Sequence, residues 1–120
     1  MPDLQLITVG GNGWDYSKVA ELVKTLGLEN RVHFLSYISD TLLRLLYRKA
    51  LVFVYPSLFE GFGLTVLEAM ASSCPVITSN TASLPEVSGD AAILINPEDS
   101  NELSSNILMM SNNKEKREQM

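Results

Sequence analysis

Five short runs of apolar, largely β-branched residues recur along this chain, and the stretches between them read as helices or, once, as a turn or short helix. That alternation narrows the possible folds more than any other feature. The runs are "LQLITVG" (Leu4–Gly10), "RVHFLSYI" (Arg31–Ile38), "LVFVYPS" (Leu51–Ser57), "PVITS" (Pro75–Ser79) and "AAILINP" (Ala91–Pro97). Short apolar runs bounded by Gly, Pro and Asn read as strands. Their apolar residues are not confined to alternate positions, so both faces are expected to be covered. Strands joined through helices pair in parallel. The expected fold class is α/β, a Rossmann-like parallel sheet flanked by helices. With 120 residues, 46% of them hydrophobic, the chain is one domain or part of one.

The segments between the runs carry helix signals. Asp15 or Ser17 can cap a first helix whose apolar stripe is Val19, Ala20, Leu22, Val23 and Leu26, and Gly27 ends it. Asp40 is expected to cap "TLLRLLYRKA", with Leu42, Leu43, Leu45 and Leu46 on its buried side. Gly63 opens a helix through about Ser72. "LPEVSGD" is a turn or a short helix. "EDSNELSSNILMM" is a helix with Leu103, Ile107 and Met110 inward, and the polar tail "NNKEKREQM" also reads as helical.

Composition removes several function classes. The net charge is -5, and the basic residues are scattered or alternate with acids. Duplex nucleic acid calls for clustered Lys and Arg, so no nucleic-acid partner is expected. The single cysteine, Cys74, excludes an internal disulfide and fits a reducing, cytoplasmic setting. No apolar run reaches the roughly 20 residues that span a bilayer, and the N-terminus has no basic leader. The chain enters a strand almost at once, which leads to the expectation of a truncation.

Parallel α/β sheets bind ligands beyond the C-terminal ends of their strands. Here those loops are "GGNGW", "SYISD", "PSLFEGFG", "SNTAS" and "NPED". The third holds Glu60-Gly61-Phe62-Gly63-Leu64-Thr65, with Glu68 eight positions after Glu60. Two glycines let backbone approach a ligand closely. A helix starting at Gly63 offers free N–H groups and partial positive charge to a phosphate or diphosphate, and Thr65 adds a hydroxyl. A carboxylate beside an anion site must address something else, and vicinal hydroxyls fit. Glu68, roughly 6–8 Å up the helix, can accept from a second polyol such as a ribose. One diphosphate between two polyols describes a nucleotide sugar. Blander roles exist for both. Glu60 can be a surface partner of the helix dipole, and Glu68 a solvated side chain or a buried one with a partner.

Other signals carry less. "GGNG" lacks the third glycine and the following acid of a dinucleotide fingerprint. His33 reads as structural and Cys74 as a buried thiol. Trp14 with Tyr16 is either a surface cluster or a cleft lip. With one histidine no Ser-His-Asp constellation can form.

The stretch "PSLFEGFGLTVLEAMASSCPVITSNTASLPEVSGDAAILINPED" resembles the C-terminal nucleotide-binding domain of GT-B retaining glycosyltransferases, in the large group with bacterial mannosyltransferases and relatives of glycogen and sucrose synthases. Glu60 and Glu68 match that group's Glu-x7-Glu, and "LITVGGNG" and "RVHFLSYIS" extend the likeness over nearly the whole chain. The resemblance implies a hexosyltransferase whose donor is a nucleoside-diphosphate sugar, with GDP-mannose the candidate suggested by "TSNTASLPEVSGDAA", and no metal or other cofactor. It implies that Glu60 is catalytic and contacts hydroxyls of the donor sugar. Glu68 would bind the ribose. Gly63, Leu64 and Thr65 would hold the diphosphate, with Gly61 and Phe62 also counted in the donor site. Ser36, Tyr37 and Ile38 would touch the base, and Gly10, Gly11 and Gly13 would line the nucleotide cleft. No Asp-x-Asp offers metal ligands of the GT-A kind.

There are departures. Ser36 and Ser73 stand where the group usually has glycine. The group's domain also starts one strand and helix earlier, with an Arg and a Lys on the diphosphate, and this sequence has no counterpart. The expectation is therefore a partial domain over residues 1–120, inactive alone, whose sugar or lipid-linked acceptor is met through a missing N-terminal domain. The full enzyme could sit at the inner membrane surface. With a central strand lost, Leu4–Val9 should pair directly with Leu51–Tyr55, or a second chain should fill the gap by self-association. Glu60 and Glu68 should share one cleft. The alternatives are a non-catalytic nucleotide-sugar binding module and a dead fragment kept for interaction.

Overall fold

The computed structural model describes residues 3–11, 13 and 15–120. They fall into two compact units, Met1–Leu42 and Leu43–Met120.

The first unit is a β-α-β motif. β1 (Leu6–Val9) pairs in parallel with β2 (Val32–Leu35), in the register Leu6 to Val32 through Val9 to Leu35. Between them runs α1 (Tyr16–Thr25). Asp15 stands at its N-cap but makes no side-chain cap, and instead ion-pairs with Lys18 at 3.3 Å. Gly27 ends α1 at φ 64°. Its N–H donates to the Lys24 carbonyl, and the Leu28 N–H donates to that of Val23. These are the two bonds of a Schellman motif, so the glycine stop is confirmed. β1 is less buried than its composition suggests. Leu6, Ile7 and Val9 are 53%, 45% and 41% exposed, because a two-stranded sheet has only α1 of its own unit to cover it.

α2 (Asp40–Lys49) has a different cap from the one expected. The Leu42 N–H donates to Oγ of Ser39 at 3.2 Å, so Ser39 caps and Asp40 supplies negative charge to the first turn. Its inward side is also narrower. Leu43 and Leu46 are half-buried and Tyr47 is buried, while Leu42 and Leu45 are exposed. At 3.6 residues per turn, leucines on both sides of a turn cannot all face inward.

In the second unit β3 (Phe53–Tyr55), β4 (Val76–Ser79) and β5 (Ala92–Ile95) form a parallel sheet in that spatial order. β4, the middle strand, is buried throughout. α3 (Leu64–Ala71) and α4 (Leu84–Ser88) cover one face, where Val66, Ala69, Val76 and Leu84 form a core with Tyr47. On the other face, Leu103, Ile107 and Met110 of α5 (Ser100–Asn112) meet Ile77 and Ile95, as the periodicity predicts. The tail is helical as expected, as α6 (Lys114–Glu118). Direct pairing of the first and third strands is not found. β1 and β3 belong to separate sheets.

α3 ends in a second Schellman motif. The Ser73 N–H donates to the Met70 carbonyl and that of Cys74 to Ala69. Ser73 sits at φ 59°, the left-handed conformation that glycine adopts without cost. The departure from glycine at this position is thus a strained serine.

Candidate functional site

The glutamate loop is built from the end of β3 and the start of α3. Strand alternation puts Phe53 and Tyr55 on one face of β3, toward α3. Their rings stack at 5.9 Å, and Phe53 meets the buried Tyr47 edge-on at 5.2 Å. This aromatic row ends at the Tyr55 hydroxyl, which donates to Oε1 of Glu60. Ser57 Oγ approaches the same oxygen at 3.4 Å. Burial, and then the bond to Glu60, raise the Tyr55 pKa above its ordinary value, so the phenol remains a donor. The nearby Thr65 hydroxyl acts on the same phenol in the opposite sense, favouring its ionised form.

The loop is tied from behind. Ser83 Oγ donates to the Glu60 carbonyl at 2.9 Å, and Thr78 Oγ1 to that of Tyr55 at 2.9 Å. Gly63 is the N-cap of α3, in the left-handed region at φ 83°. A Cβ there would lie 3.0 Å from Cδ2 of the fully buried Leu84. Gly61 differs: a Cβ there meets nothing within 4 Å. Gly63 is therefore needed by the fold, while Gly61 leaves open space for a ligand. The first-turn amides of Leu64 and Thr65 lack intrahelical partners, and Gly63 has no side chain to cap them. Phe62 and Leu64 are exposed beside them.

Glu68 is exposed, one turn along α3. It lies near Tyr47, whose pKa is pushed up to about 12 by burial first and by the Glu68 charge second. Tyr55 also acts on Tyr47, so the two glutamates flank one pair of tyrosines. Neither glutamate lines the two clefts that stand out, both of which belong to the first unit. One of these, about 470 Å³, is lined by Gly10, Gly11, Gly13 and Ser36 with Asp15 and Phe34. Tyr37, 87% exposed, extends over Gly11, where a Cβ would come within 3.3 Å of the phenol oxygen. Ile38 is half-buried. Tyr16 meets Phe34 edge-on at 5.2 Å, and Trp14 lies outside the described residues.

His33 Nε2 bonds Gln5 Oε1 at 2.8 Å, in keeping with a structural role. Cys74 is buried, which pushes its thiol up to about 11. Among the described residues no three His, Cys, Asp or Glu side chains gather into a metal site, and no helix is long and apolar enough to cross a membrane. Tyr55 is the functional candidate that sequence reasoning missed.

Residues 1–120 match the family described as Glycosyl transferases group 1. The chain belongs to that family. It is 45% identical over 103 residues to O-antigen chain mannosyltransferase B of Escherichia coli, covering 86% of this chain and 27% of that protein. The chain spans about a quarter of the length of the curated relatives it matches. Among solved structures, Anabaena HepE in complex with UDP superposes with a TM-score of 0.86 at 29% identity, over 98% of this chain and 34% of that one. The C-terminal domain of a group 1 glycosyl transferase from Francisella tularensis gives 0.83 at 30% identity, over 97% and 63%. The parallel sheets and their helices are those of the GT-B glycosyltransferases, in the C-terminal part.

Proposed function

We propose that this chain is the donor-binding part of a glycosyltransferase that moves a hexose, with mannose the candidate, from a nucleoside-diphosphate sugar to a sugar acceptor with retention. The observation that carries the reading is Glu60, held by Tyr55 beside an uncapped helix N-terminus. That helix end suits a diphosphate, and the carboxylate suits sugar hydroxyls. In this reading Glu60 is the catalytic-side carboxylate on the donor sugar, Glu68 takes the ribose, Gly63 to Thr65 take the diphosphate, and Gly61 and Phe62 complete the donor site. Ser36, Tyr37 and Ile38 meet the base, with Gly10, Gly11 and Gly13 along the nucleotide. The mannosyltransferase relatives favour GDP-mannose, and neighbours solved with UDP and UDP-glucose keep uridine donors in view.

The leaving diphosphate would be stabilised by the amides of α3 and by the basic residues that the family resemblance implies. No metal enters this reading. The proposed setting is cytoplasmic, with the full enzyme at the inner membrane surface, and self-association through an open sheet is part of the same reading.

The chain alone is proposed to bind donor weakly and to transfer nothing. The resemblance implies an Arg and a Lys on the diphosphate that no residue here matches, and lacking them, at roughly 1.5–3 kcal/mol each, would weaken binding by about two to four decades. Calorimetry with GDP, UDP and ADP, beside hydrolysis and transfer assays, tests this. Millimolar or weaker binding without transfer is expected. Micromolar binding, or transfer that Glu60→Ala abolishes, would overturn the proposal of weak binding without transfer.

A further inference from the structure

We propose that Tyr55 is a positioning residue for Glu60, holding one carboxylate oxygen so that the other is presented to the donor sugar. The inference rests on the reading that Glu60 addresses that sugar. Its basis is an asymmetry in the carboxylate. The Tyr55 phenol and Ser57 Oγ both approach Oε1. Among the described residues, Oε2 receives no hydrogen bond. A half-buried carboxylate with one satisfied oxygen retains acceptor capacity in a fixed direction.

Tyr55 is itself held through its ring and its backbone. Its ring stacks on Phe53, and Phe53 rests on Tyr47. Its carbonyl accepts from Thr78 Oγ1 of the neighbouring strand. The phenol is thus fixed at the end of β3, with its hydroxyl on Glu60. The Glu60 backbone is held separately, through Ser83. Tyr55 thus governs where the carboxylate points, and the backbone bond governs where the residue sits. A tyrosine that merely fills the end of a strand would need its ring but not its hydroxyl bond to Glu60.

Tyr55→Phe separates these roles, because it keeps the ring and removes the hydroxyl. The full chain, Tyr55→Phe and Glu60→Gln are titrated by NMR with GDP and GDP-mannose, and with UDP and UDP-glucose. The readout is how much tighter the sugar-bearing ligand binds than its bare diphosphate. In Tyr55→Phe this preference should fall about tenfold, with bare diphosphate binding within about twofold of the parent. Glu60→Gln should lose the same preference. If Glu60→Gln loses it and Tyr55→Phe keeps it, the Tyr55 inference fails and the reading of Glu60 stands. If Glu60→Gln keeps it, or the parent has none, the reading of Glu60 fails and takes this inference with it. A second measurement needs no variant. In the parent chain the Tyr55 Cζ chemical shift should move in step with the Glu60 carboxyl titration. A Tyr55 signal indifferent to that titration would overturn the proposal even if Tyr55→Phe failed to fold.

Discussion

Gly61 and Gly63 stand two residues apart in one turn, yet alanine should affect them very differently. At Gly63 the backbone has φ 83°, where an L-residue loses roughly 1–2 kcal/mol. Alanine recovers up to about 1 kcal/mol by restricting the unfolded chain. Its Cβ would then sit 3.0 Å from Leu84 Cδ2, with both Val87 methyls within 4.0 Å. Leu84 is fully buried, so relief requires core movement, at about 1–3 kcal/mol. The balance is a loss of about 2–3 kcal/mol. Gly61 has open space and no positive φ, so Gly61→Ala should stay within about 0.5 kcal/mol. Hydrogen exchange at the Ile77 and Thr78 amides reads this best, because β4 is buried throughout and its exchange requires the unit to open. Gly63→Ala should speed exchange about 30- to 150-fold, and Gly61→Ala hardly at all. Equal effects at the two glycines would refute the division between a glycine the fold needs and one left for a ligand.

Ser73 and Ala82 both lie in the left-handed region, at φ 59° and 53°. Ser73→Gly and Ala82→Gly should each stabilise the chain by about 0.5–1 kcal/mol, seen as a higher urea midpoint. Stability should also fall in alkali. Burial raises the Cys74 thiol from 9.0 to about 11 and the Tyr47 phenol from 10.0 to about 12. Both groups hold their protons more tightly when folded, so their contribution is whole below about pH 9 and is lost as pH rises through 11 and 12. A urea midpoint followed across that range should decline, and less steeply in Tyr47→Phe and Cys74→Ala.

What the sequence disclosed was mostly local. The stop at Gly27 and the inward stripe of α5 follow from short-range chemistry, and both hold. The cap of α2 went to Ser39 rather than Asp40, because both residue types cap well and a boundary one residue earlier decides between them. The expected pairing of β1 with β3 failed, since strand order is a tertiary property that local patterns do not carry. The glutamate loop was found through its glycines and carboxylates, but Tyr55 was not. Alternation along "LVFVY" places Phe53 and Tyr55 on one face. It does not reveal that the chain, turning at Pro56, brings Glu60 back onto that phenol. The strained Ser73 left a trace as a departure from glycine, and its φ supplied the physical meaning.

The most direct test of the account is where a nucleotide sugar lands on the chain. With ¹⁵N-labelled protein and millimolar GDP-mannose or UDP-glucose, amide shifts should centre on Gly61 to Thr65. Bare GDP or UDP should reproduce the shifts at Leu64 and Thr65 but not the effect at Glu60. Shifts that spare this segment, or no response to any of the four ligands, would contradict the assignment of the Glu60 loop as the donor site.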